Sequence, residues 1–199
     1  MKKLLIATNN HGKIEELKEL LNGFGIAFVT PAEINLELEV EEDGSTYREN
    51  AGKKALAFAQ ASGLIALADD SGLEVDALGG APGLYSARYS PKPGAKDKDR
   101  RDFLLQNLAD KPRPWMAHFH ATIAIAKPTG EIEFAEGNCP GEIIPEERGT
   151  GGFGYDPIFL LTELGKTMAE LEMDEKNRLS HRARAVMNAM PILKKMFGV

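Results

Sequence analysis

The sequence predicts an α/β protein built on a mixed sheet. Three observations carry that expectation. An apolar strand turns directly into a helix at the start of the chain, strand and helix periodicities are interspersed along its length, and two alternating apolar segments are joined by Pro128-Thr129-Gly130 as a hairpin. With 199 residues the chain has the size of one ordinary domain, able to bury a substantial core and with room for two lobes.

The elements follow in order. Lys3-Leu4-Leu5-Ile6-Ala7 reads as a buried strand, and beyond a polar turn Ile14, Leu17, Leu20 and Leu21 recur at helical spacing up to Gly23. Ile26 to Val29 is a second strand. Thr46-Tyr47-Arg48-Glu49 is a capping box, in which a hydroxyl and a carboxylate three residues on each satisfy a backbone N–H, and it opens an alanine-rich helix to about Ser62-Gly63. Leu64 to Ala68 is a third strand. Residues 97–108, with Phe103, Leu104 and Leu108, are helical, and Phe119, Ala121, Ile123 and Ile125 alternate as a strand that the turn returns into Ile132-Glu133-Phe134. Leu179, Ala183, Val186, Met187 and Met190 mark a last long helix that Pro191 should end or kink.

Charge and composition exclude several classes. A formal charge of −6 argues against holding a long nucleic acid by its phosphates, while leaving room for a small anion in a local basic pocket. The lone Cys139 rules out an internal disulfide framework and reads as a small buried hydrophobe. The apolar run after Met1-Lys2-Lys3 is too short for a signal peptide, and no stretch is long enough to cross a bilayer. The expectation is a soluble cytoplasmic protein with no membrane and no nucleic acid polymer as partner.

Four segments carry chemistry. Gly149-Thr150-Gly151-Gly152-Phe153-Gly154-Tyr155-Asp156-Pro157 packs four glycines, two aromatic rings and a carboxylate into nine residues, which suits either a loop gripping a planar base or a tight turn around a buried Phe. Its G-x-G-x-x-G spacing is not a dinucleotide fingerprint, because no strand precedes it and no helix follows. Thr8-Asn9-Asn10-His11-Gly12-Lys13 lies where the first strand meets the first helix. Free helix-end amides and a lysine there suit phosphate oxygens, and a polar turn with an Asn cap explains the same residues.

Asp69-Asp70-Ser71-Gly72 follows the third strand, which sets two carboxylates at the strand's carboxyl end, on opposite sides of it. Such a site suits Mg²⁺, with Glu41, Glu42 or Asp43 as a second ligand; the alternatives are a turn and a solvated acidic face. Lys176, His181, Arg182 and Arg184 surround the start of the last helix, with Ser180 as its N-cap. Cations there oppose the helix dipole, a conflict that an anionic or carbonyl-rich ligand would relieve. His118 and His120 share a strand face without a third zinc ligand at motif spacing, and Arg88 adds one more candidate for a phosphate-facing cation.

Taken together, these segments resemble the inosine triphosphate pyrophosphatase family, also called Ham1-like or non-standard purine nucleoside triphosphate pyrophosphatases. The matching pieces are Thr8 to Lys13, Glu41 to Gly44 with Glu49-Asn50-Ala51, Ala68 to Leu73, Gly80 to Gly83 with Ser86 to Tyr89, Gly149 to Phe159, and Glu175-Lys176 with Ser180-His181-Arg182, in the family's order. The chain departs from the family at Lys92 to Arg101, a basic, proline-containing stretch where relatives usually carry a shorter acidic loop and an Asn near Arg100, so no role is carried over to it.

The resemblance implies one pyrophosphatase domain over 1–199, elongated and two-lobed, with a central mixed, twisted sheet flanked by helices, the active site in the cleft between lobes, and a homodimer. It implies hydrolysis of ITP, dITP and XTP to monophosphate and pyrophosphate in preference to ATP and GTP, with Mg²⁺ as cofactor. By the same resemblance, Thr8, Asn9, Asn10, His11, Gly12, Lys13 and Lys54 hold the triphosphate, Asp70 is the catalytic carboxylate, and Glu42 with Asp70 takes the metal. Ser71 contacts substrate, Phe153 stacks on the purine, Gly154, Tyr155 and Asp156 line its pocket, and Lys176, His181 and Arg182 read its edge. A nucleotide sensor without hydrolysis is the main rival, and it has no use for Glu42 and Asp70 beside phosphates. A pyrophosphatase for pyrimidines or ordinary triphosphates is the second.

Overall fold

Residues 2–198 are described by a computed structural model. The first strand, β1 (Lys3–Ile6), is apolar and buried from Leu4 onward because that part is covered on both faces. It pairs in parallel with β2 (Ala27–Val29), in the register Leu4 to Phe28, and with β3 (Ile65–Val75), in the register Leu5 to Ala66. The remaining strands are β4 (Trp115–Ala126), β5 (Ile132–Ile143), β6 (Phe159–Leu161) and β7 (Lys166–Thr167). The hydrogen-bonded order is β2-β1-β3-β4-β5-β6-β7. A Lys127 N–H to Glu131 carbonyl bond of 2.8 Å closes the β4–β5 turn, and β5–β6 and β6–β7 are antiparallel, so the sheet is mixed as predicted.

The helices are α1 (His11–Leu20), α2 (Tyr47–Ser62), α3 (Asp97–Leu108), α4 (Met173–Leu179) and α5 (His181–Phe197). Asn10 caps α1 by accepting the Lys13 N–H, and Thr46 caps α2 by accepting the Glu49 N–H at 3.1 Å. The reciprocal half of the α2 box is shifted by one residue: the Glu49 carboxylate accepts from the Ser45 N–H at 2.7 Å. Gly63, at φ +69, ends α2 in the left-handed conformation that glycine adopts without strain. Among the described residues no helix is long and apolar enough to cross a membrane.

The chain forms two compact units. One comprises the residues up to Asp70, Ala121–Gly137 and the residues from His181 onward; the other comprises Ser71–His120 and Asn138–Ser180. In the first, the strand residues Leu4, Ile6, Leu67 and Ile123 share a core with Leu17, Leu21, Val186 and Leu193 of α1, its end and α5. The alternate strand residues Leu5, Ala66, Ala68 and Ala124 meet Ala51, Ala55, Phe58 and Ala59 of α2, whose alanines give that helix a close-packing face. In the second unit Leu104 and Leu108 of α3 join Leu73, Val75, Phe119, Ile143 and Phe159, with the Phe119 and Phe159 rings 4.4 Å apart between centroids.

Two expectations are corrected. β3 does not stop at Ala68: it runs on through Asp69-Asp70-Ser71-Gly72 to Val75, because Leu73 and Val75 are buried strand residues and Asp69 is ion-paired with Lys13 and Arg182. Pro191 does not end the last helix, which reaches Phe197 because Leu193, Met196 and Phe197 bury the face beyond it. That helix also starts later than its periodicity suggests. Leu179 closes α4, and Ser180, at φ −66 and ψ 156, is the one extended residue before His181.

Gly137 on β5 shows how tightly α5 lies on the strand. A Cβ there would meet the His181 carbonyl oxygen at 2.3 Å and the Ala185 nitrogen at 2.4 Å, both backbone atoms that cannot swing aside. Gly137→Ala should therefore destabilise the protein by about 1–3 kcal/mol or more, read from urea denaturation. An unchanged midpoint would contradict the close approach.

Candidate active site

In the first unit, strand alternation gives the two aspartates of β3 different surroundings. Asp69 is in phase with Leu67, on the face covered by α1 and α5, and Asp70 with Ala66 and Ala68, on the face covered by α2. The Asp69 carboxylate is fully buried. It accepts from Lys13 Nζ at 2.7 Å and from Arg182 Nη2 at 3.1 Å, and Lys13 Nζ also reaches the Asp69 carbonyl oxygen at 3.2 Å. Arg182, equally buried, donates through Nη1 to the Glu16 carboxylate in the middle of α1.

Burial by itself would push the Asp69 carboxyl up, but Arg182 and Lys13 hold it far below the usual carboxylate range. Burial likewise disfavours the Arg182 cation, and Asp69 and Glu16 more than restore it. The cations at the start of α5 do oppose its dipole, and the counter-charge comes from the chain's own carboxylates. The sequence sets Arg182 against the edge of a base; in the structure both of its Nη nitrogens already donate to Glu16 and Asp69.

Asp70 differs. It is 8 % exposed, and its Oδ2 is buried with no hydrogen-bond partner. Burial pushes this carboxyl up, Lys13 and Lys54 pull it back, and Glu42 and Asp69 push it up again. Lys54 on α2 is ion-paired with Glu42, and both line a cavity of about 690 Å³ with Thr8, Asn9, Glu41 and Phe58. Four carboxylates (Glu16, Glu42, Asp69, Asp70) thus lie among Lys13, Lys54 and Arg182, with His181 acting on Asp69. Among the described residues no cluster of three or more His, Cys, Asp or Glu side chains could hold a metal alone. The donor set therefore does not fit zinc. It fits a hard cation that takes one or two carboxylates and completes its shell with water and phosphate, and the Asp70 oxygen without a hydrogen bond is open to such a ligand.

The second unit holds the glycine-rich turn. Asp156 Oδ2 accepts from the Phe153 N–H at 2.9 Å and from Lys176 Nζ at 2.7 Å, and both Asp156 and Lys176 are buried. A Cβ on Gly152 would lie 2.0 Å from that oxygen, and one on Gly149 2.4 Å from the Ala169 backbone, so glycine is required at both by close approach. Phe153 is only half-buried, with Lys176 Nζ 5.3 Å from its ring centroid, so the turn does not enclose a buried Phe. Tyr155 is turned inward, its hydroxyl donating to the Ser86 carbonyl at 2.9 Å, and burial pushes its phenol up. Ser71 is half-buried at the start of this unit's part of β3.

The structure thus brings Thr8, Lys13, Glu42, Lys54, Asp70, His181 and Arg182 into the first unit, His181 close enough for its charge to act on Asp69, and Phe153, Asp156 and Lys176 into one cluster of the second. Asn10 serves as the α1 cap, Asn9 and His11 are exposed, and Gly12 is half-buried. His118 pairs with Glu74 at 3.3 Å and His120 with Asn138 at 2.8 Å, Arg88 lies over the Tyr85 ring, and Cys139 is buried. Glu16 is the residue that sequence reasoning misses. Its only local signal is a carboxylate three residues after Lys13, at the edge of the apolar stripe of α1.

The sequence pattern of the Ham1 family matches residues 4–192. This chain belongs to the Ham1 family. It is 50% identical over 197 residues to the dITP/XTP pyrophosphatase of Desulforamulus reducens, covering 98% of this chain and 97% of the relative. It is 43% identical to that of Bacillus subtilis over 194 residues, covering 98% of each chain. The HAM1 protein of Coxiella burnetii superposes with a TM-score of 0.88 at 40% identity, over 98% of this chain and all of that one. The open mixed sheet with flanking helices is the fold of these Ham1 structures.

Buried and exposed ion pairs should differ in their effect on stability. Glu16→Ala would leave the Arg182 cation buried with one partner lost and should cost about 3–5 kcal/mol by chemical denaturation. Lys53→Ala, at the exposed pair with Asp43, should leave the midpoint unchanged. Equal effects would contradict this assignment.

Proposed function

We propose that this Ham1-family protein hydrolyses deaminated purine nucleoside triphosphates, ITP, dITP and XTP, to the monophosphate and pyrophosphate, clearing them from the nucleotide pool. The observation that carries the reading is the buried Asp70 carboxylate, one oxygen without a hydrogen bond, near Lys13 and Lys54 in a chain half identical along its length to a dITP/XTP pyrophosphatase. Lys13 and Lys54, with the amides and side chains of Thr8 to Gly12, hold triphosphate oxygens. Asp70 and Glu42 would hold Mg²⁺, which would supply positive charge to offset that of the phosphates. Asp70 also orients the attacking water, and Ser71 follows it as a substrate contact. A pure nucleotide sensor would gain nothing from an acid in that position.

The Phe153 turn supplies a partly exposed ring for the base, with Gly154 and Asp156 shaping the turn and Tyr155 anchoring it from beneath. Lys176, fixed by Asp156, is the donor assigned to the C6 carbonyl of hypoxanthine or xanthine. Adenine places an amine there, and a buried donor left facing a donor discriminates strongly. Arg182 and His181 act on Asp69, so Arg182 contributes to the site by holding that carboxylate. The enzyme works in the cytoplasm as a homodimer.

Pyrophosphate release across ITP, XTP, dITP, ATP, GTP and dUTP tests the reading directly. Activity should be confined to the deaminated purines, abolished by EDTA and restored by Mg²⁺. Asp70→Asn should fold normally and lose at least about 10²-fold in turnover. Undiminished turnover in the folded variant, or full activity in metal-free protein, would overturn the assignment.

Phe153→Ala isolates the base contact. Aromatic stacking of a nucleobase is worth about 1–3 kcal/mol, so KM for dITP should rise roughly ten- to a hundredfold. If KM stays unchanged, the glycine-rich turn is architecture only.

A further inference from the structure

The first turn of α3 belongs to the stretch Lys92 to Arg101, to which the proposed chemistry assigns no task. Its side chains nevertheless reach into the glycine-rich turn of the same unit. Arg101 Nη1 donates to the Gly154 carbonyl at 2.7 Å, and its Nε and Nη2 donate side by side to the Glu147 carboxylate at 2.9 and 3.0 Å. Asp97 Oδ2 accepts the Gly154 N–H at 2.8 Å. Both backbone polar groups of one residue, the neighbour of Phe153, are therefore held by one helical turn.

We propose that Arg101 and Asp97 are positioning residues that hold the Phe153–Gly154 turn in the shape that receives the base. The inference rests on the reading of that turn as the base site. Gly154 sits in the left-handed region at φ +62, and the peptides on either side of Phe153 set the direction of its ring. On one side the Phe153 N–H is fixed by Asp156, itself held by Lys176. On the other the fixing comes from α3.

Arg101 does more than pin one carbonyl. Glu147 precedes the first loop glycine and Gly154 is the last, so a single guanidinium ties the two ends of the loop together. The planar fork makes this possible: three nitrogens meet three acceptor oxygens on two residues in fixed directions, and the side chain is only 12 % exposed. Asp97 is braced in turn, its Oδ1 accepting from Arg100 Nη1 at 2.6 Å while Arg100 Nη2 donates to the Ala95 carbonyl at 2.8 Å. All the hydrogen-bonding nitrogens of Arg101 are engaged within the protein, so its contribution is to order the loop before substrate arrives. Ordering of that kind appears in substrate affinity.

The test compares Arg101→Ala, Arg101→Lys and Phe153→Ala, measuring KM and kcat for dITP and the inhibition constant of inorganic tripolyphosphate, which has no base to stack. Arg101→Ala should raise KM about tenfold or more, leave kcat within about twofold, and leave tripolyphosphate inhibition unchanged. Arg101→Lys, a single point donor without the fork, should fall between wild type and alanine. The proposal is overturned if Phe153→Ala raises KM and Arg101→Ala does not. It is equally overturned if KM and the tripolyphosphate constant rise together, since the fault would then be general. An unchanged KM in Phe153→Ala would remove the base site and the proposal with it.

Discussion

A run of buried opposite charges, Glu16 to Arg182 to Asp69 to Lys13, is the constraint on which the first unit depends. It fastens α1, α5 and β3 to one another, and it does so with groups whose desolvation is expensive. Removing any one leaves an uncompensated charge in the core, which is why the arrangement specifies a single geometry more than it adds stability. It also explains how acidic residues come to lie in the middle of a strand. With Asp69 neutralised on one face of β3, Asp70 is left on the other, buried and with an oxygen that the protein does not satisfy. An unsatisfied buried carboxylate is costly, and native structures retain one where a ligand completes it.

The second unit applies the same principle with fewer charges. Lys176 and Asp156 form a buried pair, and Asp156 spends its shared oxygen on the Phe153 backbone. The glycines around it allow the chain to come close enough for that bond. Phe153 is then left partly exposed by a turn held from within by Asp156 and at its end by α3.

What was legible in the sequence was local. β1, α1 with its Asn10 cap, α2 from Thr46 to Gly63 and α3 over 97–108 are each declared by periodicity and caps within a few residues. The course of β3 was not, because Asp-Asp-Ser-Gly reads as a turn unless Arg182 and Lys13 on one aspartate and the Ser86 hydroxyl on the Leu73 N–H are known to be there. Pro191 misleads for a similar reason: burial of Leu193, Met196 and Phe197 outweighs the lost backbone bond. At the site, Lys13, Glu42 and Asp70 stand in motifs and Lys54 comes from the family resemblance alone, whereas Glu16 is one of several glutamates on α1 until its partner 166 residues away is seen. Arg101 was invisible for the same reason, a surface-type residue made specific by a partner distant in sequence.

Asp70, which has an oxygen the protein does not satisfy, is the residue we propose to hold a divalent cation against phosphate. Mn²⁺ binding measured by calorimetry or electron paramagnetic resonance, with inorganic tripolyphosphate present, tests it most directly in wild type and in Asp70→Asn. A Mn²⁺ site is expected in wild type and should be lost when the carboxylate becomes an amide of the same size. Equal Mn²⁺ affinity in the two proteins would contradict it.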